Sequence, residues 1–184
     1  MSLASMAAHV GPVPNGLHPS ADQIAVYRSF LASYATGAAG PVNLGNRTIP
    51  LELSDSDIRD GCLKGIVLLE LASLRSGSQP LTPEVVDETN VRLVDPEHQA
   101  SAVKTSDPSL AIHNGAPVED AVRAASASGL LQVSGIAFDR KRRYGVMAFG
   151  FSCGELCGHG GTLVFEKAHG QWRRVKRGCR VWVS

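Results

Sequence analysis

The sequence predicts an α+β domain in which N-terminal helices pack on a C-terminal antiparallel β meander. Three observations carry this. In the first part, Ile24, Tyr27, Phe30, Leu31 and Tyr34 recur with a period near 3.6. From Gly129 onward the period drops to two, with Leu131, Val133, Gly135 and Ala137 on alternate positions. The later apolar runs are joined by short polar turns, which suit antiparallel neighbours. The chain has 184 residues, 43% of them hydrophobic, enough for one core. It reads as a flexible leader over 1–19 and a single domain over 20–184. With two Trp, three Tyr and five Phe, aliphatic side chains must fill most of the interior.

The leader has no Lys or Arg before Arg28, and Pro12 and Pro14 interrupt its mildly apolar stretch. It therefore lacks the charged and apolar regions of a signal peptide. The first helix starts at Ser20, where Ser-x-x-Gln with Gln23 forms a capping box, and Gly37 stops it. Thr48 to Leu53 reads as a short strand, with Pro50 confining it to an edge or bulge. Leu63 to Leu74 fits either a buried helix or a central strand. Thr82, Pro83 and Glu84 open another helix, ending near Asn90 or Arg92. Asp95 to Pro117, rich in Ser, Asp, Pro, Asn and Gly, reads as a long loop ahead of a helix from Val118 to Ala127.

Two hairpins follow. Leu131 to Ala137 and Tyr144 to Ser152 flank a charged turn at Asp139 to Arg143; Thr162 to Lys167 and Trp172 to Lys176 flank Ala168 to Gln171. Arg180 to Ser184 is a last strand. The longest apolar run, Gly65 to Leu74, is cut by Glu70 and is far short of the roughly 20 residues that cross a bilayer. A soluble protein without a transmembrane segment is expected.

Net charge is +1, but unevenly spread. Up to Phe138 there are 8 basic and 14 acidic residues; from Asp139 there are 10 basic and 3 acidic. A basic end attracts phosphates. Yet Arg173, Lys176 and Arg180 can equally solvate one sheet face, and near-neutrality overall argues against a nucleic-acid partner.

One segment stands out for chemistry: Gly150 to Gly161, reading GFSCGELCGHGG. Gly150 to Gly154 spell G-x-S-x-G, which would make Ser152 a hydrolase nucleophile with His159 as base. That motif needs a strand, a sharp turn and a helix, whereas glycines and another strand follow here. Zinc is the second reading, with Cys153, Cys157, His159 and Cys179 as ligands, although C-x3-C-x-H lacks the paired knuckles of strong zinc signatures. A disulfide between Cys153 and Cys157 is the third, since a Gly-rich loop can bring the Cα atoms within about 6 Å. Four cysteines allow three complete pairings, and spacing does not choose among them. Finally, Gly154, Gly158, Gly160 and Gly161, with His159 among them, form a candidate binding loop whose successive N–H groups would nest a small anion. No cofactor is expected outside the zinc reading.

The stretches Gly129 to Phe138 and Ala148 to Gly161, with Phe165-Glu-Lys, Gly170-Gln-Trp and Trp182-Val-Ser, resemble small uncharacterised bacterial proteins, many of them exported, that end in this pattern. The similarity covers about the last 55 residues well. It implies that Cys153 and Cys157 share a common bridge or site, that Cys62 and Cys179 lie outside the shared motif, and that His159 occupies a variable position, which weakens the zinc reading. It also implies a periplasmic or exported protein, while the lack of a visible signal peptide leaves the cytoplasm open. The expected function is a non-catalytic binding or interaction module of the bacterial cell envelope, with a disulfide-pinned Gly-rich loop and either a protein partner or a small anionic ligand. The alternative is an enzyme or metal site built on Ser152, Cys153, Cys157 and His159.

Overall fold

Ser20 and Gln23 close the predicted capping box in the computed structural model, which describes residues 18–38, 40–59, 61–87, 89–177 and 179–184. The Ser20 hydroxyl accepts from the Gln23 N–H, the Gln23 side chain takes the Ser20 N–H at 2.7 Å, and helix α1 (Ala21–Ala35) follows. Its buried face carries Tyr27, Phe30 and Leu31, as the 3.6 period requires. The expected leader lies outside the described residues up to position 17.

The first strand stands earlier than expected. β1 (Val42–Gly45) is buried along its whole length and pairs in parallel with β2 (Val91–Val94) on one side and β3 (Leu130–Val133) on the other. A strand covered on both faces shows no alternation, so the period-two signal is missing there. Residues 48–53 instead run extended as a connection, touching the sheet where Ile49 bridges Ser134. Between Leu63 and Leu74 neither expected element forms in full: after the short helix α2 (Asp55–Arg59), the chain turns, bridges Asp139 at Leu68, and makes helix α3 (Leu71–Ser76). The helix expected from Thr82 shrinks to a 3₁₀ turn, Pro83–Val85, in which the Thr82 side chain makes no capping bond.

Asp95 to Pro117 holds two helices rather than a loop. α4 (Pro96–Thr105) and α5 (Pro108–His113) each begin with Asp-Pro, where the Asp95 carboxylate accepts the His98 N–H and the Asp107 carboxylate the Ser109 N–H. The same residues that punctuate turns cap helices, with Pro in the first helical position. α6 (Val118–Ser128) stands where expected.

From β3 onward the sheet is antiparallel, with β4 (Ala137–Phe138), β5 (Tyr144–Gly154), β6 (Cys157–Ala168), β7 (Gln171–Val175) and β8 (Val181–Val183). The order is β2-β1-β3-β5-β6-β7, with β4 beside β5 and β8 beside β6. The fold is α+β. On one sheet face, Leu131, Val133, Met147, Leu163 and Phe165 pack under α1. On the other, Ala137, Val146 and Val164 pack under Leu51, Leu53, Leu63 and Leu74. Tyr27 ties α1 to the sheet by donating its hydroxyl to the Ser134 carbonyl at 2.8 Å. Among the described residues no helix is long and apolar enough to cross a membrane.

Candidate functional site

The segment singled out by sequence is the β5–β6 hairpin. Its register runs Phe149 to Gly161, Gly150 to Gly160, Phe151 to His159 and Ser152 to Gly158, with an irregularity before the tip. The Gly-rich loop is thus corrected: Gly158, Gly160 and Gly161 are strand residues, and only Glu155 and Leu156 lie between the two strands. Close approach explains Gly160, where a Cβ would stand 2.6 Å from Trp182 Cζ2. The Trp182 ring lies across the glycines of β5 and β6, near Gly150, Gly158 and Gly160. Gly154 takes φ +156°, and a Cβ there would meet Asp107 Oδ2 at 2.7 Å.

Cys153 and Cys157 are disulfide-bonded across the hairpin tip, with Cα atoms 5.0 Å apart. Cys62 and Cys179 form a second bridge, Cα 4.9 Å apart, which spacing alone did not single out. The proposed zinc set is therefore not brought together: Cys179 is held by Cys62, Cys153 and Cys157 hold each other, and His159 turns elsewhere. Asp107 braces the tip from the helical layer, its carboxylate accepting the Glu155 N–H at 2.7 Å and the Ser109 N–H at 2.8 Å. Those bonds, the Glu155 one foremost, hold its carboxyl below the ordinary carboxylate range.

Ser152 and His159 project to opposite faces. Paired residues share a face and neighbours alternate, so Phe151 with His159 lies on the α1 side and Ser152 with Gly158 on the other. A nucleophile and its base need hydrogen-bond reach, and a sheet stands between these two.

His159 instead joins an aromatic group. Its Nε2 is 3.1 Å from the Tyr34 hydroxyl, and its ring stacks on Tyr34 (centroids 5.9 Å, 23°) and leans on Phe151 (5.3 Å). In the tautomer that leaves Nε2 without a proton, the Tyr34 hydroxyl donates to it. Burial pushes the Tyr34 hydroxyl up to about 12, so it keeps its proton at neutral pH. This pair lines a cavity of about 670 Å³ between the end of α1, β1 and the last turns of α6, where Arg123 adds a cation at the rim. Arg123 also pairs with Glu119 and Asp120 at 3.0 and 3.1 Å.

No family model, curated protein or solved structure matches the chain.

Of the residues picked from sequence, His159 alone lines this cavity. Tyr34 and Arg123 were missed as site residues, because Tyr34 reads as one more core position of an amphipathic helix and Arg123 as a solvated helix charge. Phe151 likewise reads as a plain strand residue. A second cavity, about 700 Å³, opens on the other side beside Lys104, Asp107 and Gln132, and a third, about 530 Å³, lies between Trp182 and the 49–57 connection.

Proposed function

We propose that this protein is a non-catalytic binding module of the bacterial cell envelope, whose site is the cavity over Tyr34 and His159. Its ligand is a small molecule with a flat apolar part and an anionic end. The observation that carries the reading is the hydrogen-bonded Tyr34–His159 pair, half-buried in an aromatic wall and facing a cavity with Arg123 at its rim. Aromatic faces take planar apolar groups, and Arg with an imidazole takes the anion; small-ligand sites combine such walls with a few convergent polar groups. Two disulfides and the resemblance to exported proteins support an oxidising compartment.

The test is titration with 2-naphthoate, followed by NMR at the His159 ring and the Tyr34 amide. Saturable shifts at millimolar ligand are expected, weakened about tenfold by His159→Ala and by Arg123→Gln. Neutral 2-naphthalenemethanol should bind more weakly. No shift at these positions, or equal binding by the His159→Ala protein, removes the cavity from candidacy.

A further inference from the structure

The outer edge of the sheet along β8 is open among the described residues. β8 pairs with β6 and with no other strand among the described residues. Ser184 and Gly158 exchange both main-chain bonds, at 2.9 and 3.3 Å, and the Thr162 N–H reaches the Arg180 carbonyl at 3.1 Å. In an antiparallel ladder alternate residues bond inward, so Arg180, Trp182 and Ser184 face β6, while the N–H and C=O of Val181 and Val183 point outward. The side chains are equally open: Val181 is 67% exposed, Trp182 44% and Val183 83%. Native sheets blunt such an edge by shortness, a charge, a proline or a cover; β8 is short, at three residues, but Val-Trp-Val carries no charge or proline within it.

The flanks supply the charge. From Lys167 to Ser184 the chain contains no Asp or Glu. Arg173, Arg174, Lys176, Arg177 and Arg180 are all exposed along the path from β7 to β8. A strand added here meets apolar contacts at its centre and cations at its side. We propose that β8 binds an extended acidic peptide segment of a partner protein by strand addition. Main-chain bonds to Val181 and Val183 supply affinity, aliphatic side chains of the segment pack against Val181, Val183 and Trp182, and flanking carboxylates meet Arg180 and its neighbours. The surface lies outside the Tyr34–His159 cavity, and the inference does not rest on the ligand proposed for it.

The probe is a fluorescein-labelled peptide of alternating Glu and Val with one central Phe, measured by anisotropy and by NMR at the Val181 and Val183 amides. Val183→Pro removes an outward donor and leaves the bonds to β6 in place, since proline is tolerated on an edge where its nitrogen faces solvent. Saturable binding is expected, reduced about tenfold by Val183→Pro and by Arg180→Glu, and about tenfold weaker for the same peptide with Lys in place of Glu. An unchanged circular dichroism spectrum and melting curve for Arg180→Glu keeps that result independent of folding. No binding at about 1 mM peptide overturns the proposal. So does binding that Val183→Pro leaves intact, or a single-stranded oligonucleotide that competes equally, which would make the edge a general polyanion surface. A concentration-dependent dimer abolished by Val183→Pro would assign the edge to a second copy instead.

Discussion

At the residue scale, Asp22 gathers more of the fold than its place on a helix suggests. From the first turn of α1 its carboxylate accepts from Lys167 Nζ at 2.7 Å, Trp172 Nε1 at 3.0 Å and Arg142 Nη1 at 3.2 Å. Burial alone would raise its pKa, but those donors outweigh it and hold the carboxyl below its usual value of 3.8. A depressed carboxylate stabilises the fold above its unfolded pKa, and that contribution disappears as the pH falls through the folded value. Asp22→Asn should therefore cost about 1–2 kcal/mol near neutrality, the range of a partly exposed charge-assisted cluster. In urea titrations the gap between wild type and variant should close as the pH drops below about 3.8; a gap that persists at pH 2 would assign the effect to packing. None of this was visible in the sequence, because Asp22 and its donors lie more than a hundred positions apart. The Tyr34–His159 pair escaped reading for the same reason, with 125 positions between its members.

At the scale of elements, local signals were legible and long-range ones were not. The capping box of Ser20 and Gln23 and the charged turn after Phe138 are each settled within a few residues, so pattern sufficed for α1 and for the hairpins. β1 has no alternation to read because both its faces are covered, and Asp95 and Asp107 served as caps where composition suggested a loop. The glycines of β6 show a further limit: Gly158 and Gly160 read as a Gly-rich loop, yet close approach is their reason, by Trp182 from β8 at Gly160 and by the Phe151 carbonyl and Ser184 at Gly158. A methyl group at Gly160 collides with that ring and with the Phe149 carbonyl. Gly160→Ala should cost about 1–3 kcal/mol, the range of overpacking, and shift Trp182 emission to longer wavelength as the ring lifts into solvent. A variant with unchanged emission and melting temperature would show that the ring does not need its glycine floor.

At the scale of the whole molecule, the two disulfides differ in what they join. Cys153 and Cys157 are four positions apart and staple a hairpin that β5–β6 pairing already defines. Cys62 and Cys179 are 117 positions apart and fasten the covering layer of residues 51–74 to the chain between β7 and β8. Arg177 reinforces the same junction by donating to the Cys62 carbonyl at 3.0 Å. The layer is otherwise held by side-chain burial and few main-chain bonds, with Leu51, Leu63 and Leu74 resting on Ala137, Val146 and Val164. In the chain-entropy account the long loop stabilises the fold by about 4–5 kcal/mol and the short one by about 2 kcal/mol at most. Replacing Cys62 and Cys179 by Ser should lower the melting temperature far more than replacing Cys153 and Cys157. It should also raise hydrogen exchange first in residues 51–74, while α1 and its sheet face stay protected. Equal losses for the two pairs would mean that the covering layer holds without its covalent tie, and that the hairpin tip matters to stability beyond its small loop.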